Sequence, residues 1–160
     1  MAMTLPSSAL PGCVVVDANI VVSIVAKEAA MEAKASAALS NYSALGYAFF
    51  APGVIISEVL YVLCGKLQNG SLTQANYNKA VVSFNEIMKT ILLAPNGDPS
   101  LILRAAAIRD GYTCRRTSDA IYIALAEQLA IVTTTILLTF DQDLPKQAAR
   151  HAPSVNVQLL

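Results

Sequence analysis

Four acids in this chain stand where acids are costly. Asp17 follows the apolar run "CVVV", with Asn19 two residues further on. Glu58 is the only charge in "GVIISEVLYVLC", Asp119 opens "DAIYIALAEQLA", and Asp141 follows "ILLTF". A buried carboxylate without a partner is destabilising by several kcal/mol, so it is neutralised, paired or bound to metal. Glu58 has no lysine or arginine at i±3 or i±4, which removes a local helical ion pair. If the four converge, they repel and raise one another's pKa unless a divalent cation holds them. An all-oxygen set of that kind suits Mg²⁺ or Mn²⁺. A cation so held would lower the pKa of bound water and polarise a substrate oxygen, which suits hydrolysis.

Each acid also has a plain structural reading. Asp119 could be an early helix residue favoured by the dipole, Asp17 a turn starter and Asp141 a cap for the last helix. Asp143, two residues past Asp141, reads more readily as that cap than as a site member. Glu58 has the weakest alternative, since a helix face so apolar leaves a lone glutamate little to do.

The elements that must position these residues can be read from hydrophobic patterning. Residues 13–17 form a continuous apolar strand of the kind covered on both faces. Helices are expected over 20–27 and 29–45, the second stopping at Gly46. "YAFFAP" reads as strand two, and 54–67 as an apolar helix. A helix capped by Thr73 follows, with an apolar stripe at Ala80, Val81, Phe84, Ile87 and Met88. "ILLAP" is strand three. Asp98 and Pro99 open a helix ending near Gly111, and Thr117 or Ser118 caps the next. "TILLTF" is strand four, 143–150 a short helix and "SVNVQL" a final strand. Short strands alternating with helices predict an α/β sandwich, with a central, mostly parallel sheet of four or five strands and helices on both faces. In such sheets ligands bind at the carboxyl ends of strands, where Asp17 and Asp141 fall.

A chain of 160 residues fits one domain, its core over about 13–158 and residues 1–12 a flexible N-terminal segment. Eleven basic residues balance eleven acidic ones, so no global field draws nucleic acid and any contact must be local. The best local patch is Arg115 and Arg116 in "CRRTSD", with Arg104 and Arg109 one helix earlier. Mean hydropathy is high at +0.52. Yet the richest stretch, 120–140, contains Glu127 and Gln128 between Asp119 and Asp141, so no membrane span is expected. The opening "MAMTLPSSALPG" lacks a basic region followed by an apolar one, and no secretory signal is expected. Cys13, Cys64 and Cys114 read as free thiols of a cytoplasmic protein. The single histidine, His151, reads as a surface residue. A phosphatase of the haloacid dehalogenase type would need an acid where Asn19 stands, and a receiver-like fold would need an earlier acidic pair.

"VVVDANIVVS", "ISEVLYVL", "SDAIYIALAEQL" and "LLTFDQDL" resemble, in order and context, the four acidic motifs of PIN-domain ribonucleases. They are most similar to those of VapC-type toxins of bacterial toxin–antitoxin pairs. The resemblance runs from about Cys13 to Leu144. It implies that Asp17, Glu58, Asp119 and Asp141 hold Mg²⁺ or Mn²⁺ and that Asn19 and Thr139 assist, with Asp143 a possible further member. It also implies RNA as substrate, hydrolysed to 5′-phosphate and 3′-hydroxyl ends, a cognate antitoxin protein as partner, and a homodimer. The chain departs from the family in "LAIVTTTILLTF", which lacks a glycine and is several residues longer than the usual turn. The register of strand four, and with it the place of Asp141, is therefore open. So is a second reading, a PIN-like module that binds without cutting.

Overall fold

The computed structural model describes residues 11–112, 114 and 117–160. Arg115, Arg116 and the first ten residues of the expected N-terminal segment lie outside the described residues. The chain begins with β1 (Cys13–Val16), α1 (Ala18–Val25), α2 (Ala29–Ala44), β2 (Ala48–Ala51), α3 (Ile55–Gln68), α4 (Gln74–Met88) and β3 (Ile91–Leu93). A 3₁₀ turn over Asp98–Leu101 then leads into α5 (Ile102–Tyr112), α6 (Thr117–Ala130), β4 (Thr135–Thr139), α7 (Leu144–His151) and β5 (Asn156–Leu159).

The five strands lie in the order β3-β2-β1-β4-β5 and every pair is parallel. The sheet is thus wholly parallel, where a mostly parallel one was expected. β1, the central strand, is buried at all four positions, as its uninterrupted apolar run requires. Parallel crossovers are right-handed. The chain steps from β1 to β2 to β3 in one direction and from β4 to β5 in the other. Helices α1–α4 therefore cover one face and α5–α7 the other, and α1 packs on α2, α3 and α4 while α5 packs on α6 and α7.

The helices follow their sequence signals closely. α3 buries Ile55, Val59 and Leu63, one per turn, which turns the next face, with Glu58, toward the rim. The Thr73 hydroxyl accepts from the Asn76 N–H at 3.2 Å and caps α4 as expected. Gly46 follows α2 at φ +81°, the left-handed stop that a Cβ would oppose. α1 begins at Ala18, two residues before the expected Ile20, because Asp17 is already extended at its N-cap position. The Asp98–Pro99 start is a 3₁₀ turn ahead of α5. Among the described residues no helix is long and apolar enough to cross a membrane, and Cys13 and Cys64 are free thiols.

The lengthened stretch before β4 is taken up by the end of α6 and the turn at 131–134, so β4 itself is not elongated. It pairs with β1 in unbroken register from Cys13↔Thr135 to Val16↔Leu138. Asp17 and Thr139 therefore leave the sheet side by side.

Candidate functional site

Strand order reverses between β1 and β4, and at such a switch point the connections diverge and leave a crevice at the carboxyl edge. Asp17 enters it directly from β1. Although it occupies the N-cap position of α1, its side chain does not cap that helix. Instead Asp17 Oδ2 accepts hydrogen bonds from Thr139 Oγ1 at 2.6 Å and Asn19 Nδ2 at 2.8 Å. Asn19 Nδ2 also donates to Thr139 Oγ1 (3.1 Å), while its Oδ1 accepts from the Phe140 N–H (3.1 Å). With its one proton given to Asp17, the Thr139 hydroxyl accepts from the Asp141 N–H at 2.9 Å. Asp141 Oδ1 in turn accepts from the Asp143 N–H at 2.8 Å. Asn19 and Thr139 thus stitch the exit of β1 to the exit of β4 and set the orientation of both acids.

Asp17 is 6% exposed and Thr139 fully buried. The Asp17 carboxyl is pushed up to about 7: burial raises it most, the Thr139 hydrogen bond pulls it down, and the nearby charges of Asp119 and Glu58 raise it. Glu58 reaches the same space from α3, and its Oε2 accepts from Tyr122 Oη at 2.6 Å. Tyr122 is 1% exposed, and burial, followed by the Glu58 charge and hydrogen bond, holds its hydroxyl protonated well above the usual phenol range. Asp119 lies one turn before Tyr122 on α6. Asp17, Glu58, Asp119 and Asp141 line one cavity of about 450 Å³, together with Asn19.

The four acids share a cavity without forming a tight cage. Among the described residues no group of three or more His, Cys, Asp or Glu side chains is gathered closely enough to hold a metal ion. Two features keep the oxygens apart. Glu58 is tied back by Tyr122, and Asp17 is turned toward Thr139 and Asn19. The donor set nevertheless fits a hard divalent cation, since all four side chains offer oxygen and a positive charge would relieve the repulsion and burial that raise Asp17.

Asp143 stands apart from this cavity. It occupies the N-cap position of α7 and pairs with Lys146 at 3.0 Å. Arg104 is committed elsewhere: its guanidinium bonds Glu127 at 2.5 and 2.8 Å and the His151 carbonyl at 2.7 Å, clamping α5 to α6 and α7. His151 is half-buried at the end of α7, not on the surface as expected. A second cavity of about 430 Å³ lies beside α5 and α6, with Asp98 and Arg109 in an otherwise apolar lining and none of the four acids.

Two positioning residues escaped the sequence reading. Tyr122 could have been suspected, because a tyrosine one turn from Asp119 on a buried helix needs a partner for its hydroxyl. Asp98 read as a helix cap. Its carboxylate instead accepts from the Gly53 and Val54 N–H groups at 2.8 and 3.1 Å, fixing the entry to α3, the helix that carries Glu58. Nothing local in the sequence marks that long-range bond. Tyr122→Phe should keep the fold and lower unfolding free energy in urea by about 1 kcal/mol, the net worth of one hydrogen bond. An unchanged midpoint would show that Glu58 needs no such partner.

The family model described as the PIN domain matches residues 14–150. No curated protein sequence matches the chain. Among solved structures, the crystal structure of VapBC2 from Rickettsia felis bound to a DNA fragment from their promoter contains a similar chain. The likeness covers 92% of this chain and 98% of that one, with a TM-score of 0.58 and 9% identity. At that identity it speaks for the fold.

Proposed function

This chain belongs to the PIN-domain family, and from that premise we propose that it is a metal-dependent endoribonuclease, the toxin of a toxin–antitoxin pair. PIN domains are in general nucleases, and PIN-domain nucleases in general use divalent metals. The observation that carries the reading is the convergence of Asp17, Glu58, Asp119 and Asp141, from two strand ends and two helices, on one cavity at the switch point of the sheet.

In this reading the four carboxylates hold Mg²⁺ or Mn²⁺, which when bound makes water more acidic and offsets charge on the phosphodiester. The chain's own residues do the positioning. Thr139 and Asn19 fix Asp17 and, through the backbone at 140–141, Asp141. Tyr122 holds Glu58 at the wall, and the burial of Asp17 excludes bulk water from its carboxyl. Arg115 and Arg116, just before Asp119, are assigned to RNA phosphates. The likeness to a VapBC2 chain supports a protein antitoxin, and α3 leaves Ile56, Leu60 and the 80%-exposed Tyr61 as an apolar face a partner would cover. We assign the protein to the cytoplasm and to a homodimer on the family resemblance.

Incubation of the protein with a labelled single-stranded RNA and Mn²⁺ should give fragments ending in 5′-phosphate and 3′-hydroxyl. EDTA should stop the reaction and excess Mn²⁺ restore it. Cyclic 2′,3′-phosphate ends, or cutting that persists in EDTA, would overturn the reading, because either means the RNA's own 2′-hydroxyl attacks. A binding module that does not cut is the second reading, favoured by the absence of a gathered three-acid group among the described residues. RNA bound but intact in Mn²⁺ would support it.

A further inference from the structure

The cavity that holds the four acids has two more charged walls, Glu28 and Lys66. Lys66 Nζ lies 2.5 Å from Glu28 Oε1, and the two side chains are 27% and 25% exposed. Among the described residues lining this cavity Lys66 is the single basic one, facing five carboxylates. The pair is built from independent elements. Lys66 lies in the last turn of α3, where the helix carbonyls favour a cation. It is two turns beyond Glu58 on the same wall of the cavity, about 12 Å along the helix axis.

Glu28 comes from the junction between α1 and α2, flanked by two non-glycine residues with positive φ, Lys27 at 55° and Ala29 at 33°. That backbone is held by the Glu28 N–H donating to the Ser23 carbonyl (2.9 Å). The Glu28 carbonyl accepts from the Met31 and Glu32 N–H groups (2.9 and 3.1 Å). An exposed ion pair that merely decorates a surface contributes little and requires no such backbone. A polyanion entering a cavity of five carboxylates, by contrast, requires a cation at the entrance.

Resting on the nuclease reading above, we propose that Lys66 binds an RNA backbone phosphate flanking the one that is cut. Glu28 is the positioning residue that holds the ammonium in place until the phosphate takes it. Phosphate and carboxylate compete for the same donor, so the Glu28 pair opens as RNA enters. Lys66 therefore contributes to substrate binding and not to the bond-breaking step.

The test is steady-state cleavage of a fluorogenic single-stranded RNA in Mn²⁺ at several KCl concentrations, with Lys66→Gln, Lys66→Arg and Glu28→Gln. Lys66→Gln should raise KM about tenfold, the loss of one charge-assisted phosphate contact, with kcat within about twofold. The slope of log KM against log salt should fall by about 0.7, one phosphate's worth on a single strand. Lys66→Arg should behave as wild type, and Glu28→Gln should leave KM and the slope unchanged or bind more tightly. A structural tie predicts something else, namely equal losses in Lys66→Gln and Glu28→Gln, and that result overturns the proposal. So does an unchanged KM in Lys66→Gln. Fluorescence anisotropy with labelled RNA in an Asp119→Asn background separates this inference from the one beneath it. RNA that the wild type binds but never cuts, with binding lost on Lys66→Gln, refutes hydrolysis and upholds the phosphate contact. Equal binding with and without Lys66 refutes the contact whatever the cleavage assay gives.

Discussion

Asp17→Asn should abolish Mn²⁺-dependent RNA cleavage and at the same time make the chelated protein more stable at pH 8. In the proposed nuclease the loss of activity would follow from removing one of the four carboxylates that line the cavity. A loss on the order of a thousandfold corresponds to about 4 kcal/mol of transition-state stabilisation. The gain in stability follows from the same burial. Oδ2 alone accepts from Thr139 and Asn19, so an amide oxygen in its place keeps both hydrogen bonds while the buried charge disappears. Burial foremost, with the charges of Asp119 and Glu58, raises the folded pKa from 3.8 to about 7. Between those values the folded state keeps a proton that the unfolded state has lost, so stability falls as pH rises through this window and the deficit is complete above pH 7. Its upper bound is ~4 kcal/mol. In EDTA the melting temperature of Asp17→Asn should exceed that of wild type by several degrees at pH 8, and the two should converge near pH 4. A variant less stable than wild type by the same margin at both ends of the range would show that Asp17 is not held against its charge.

The second large effect concerns the cation itself. A divalent ion binds the ionised carboxylate, so it must displace the proton that Asp17 keeps up to about pH 7. Apparent affinity for Mn²⁺ should therefore tighten by up to tenfold per pH unit between about pH 5 and 7 and level off above. Calorimetric titrations in buffers of different ionisation enthalpy should report close to one proton released at pH 6 and almost none at pH 8.5. Mn²⁺ should accordingly raise the melting temperature far more at pH 8 than at pH 5.5, and neither effect should survive in Asp17→Asn. A flat affinity across this range would mean that the cation never meets Asp17. The expected proton release also explains how a set of acids not yet gathered can become a cage. A cation held here would take the place of the proton on Asp17 and compete with Tyr122 for Glu58.

How far the sequence reaches differs from residue to residue. The unbroken apolar run at 13–16 with an acid behind it identifies a doubly covered central strand ending at a polar rim, and alternation of short strands with helices identifies a parallel α/β sheet. Both are local consequences of burial and hydrogen bonding, so the amino-acid order states them directly. It also marked Asp17, Glu58, Asp119 and Asp141, because a carboxylate in an apolar element has few structural uses. The turn reading of Asp17 shows the limit: the chain does leave β1 there for a helix, but the carboxyl turns across the sheet to Thr139, 122 residues away. The extended backbone of Asp17 also moved the start of α1 to Ala18.

What the tertiary structure alone decided is the set of bonds between elements distant in the chain. The β1–β4 register brought Thr139 beside Asp17 and resolved the lengthened stretch before β4 as a turn. Asp98 reached back to the entry of α3, Tyr122 found Glu58, and Glu28 and Lys66 met across a cavity. The sequence by itself determined which residues are costly to bury and which elements carry them. Their partners were decided only by packing, because a hydrogen bond or ion pair between elements depends on crossing geometry and register, and those belong to the folded chain as a whole.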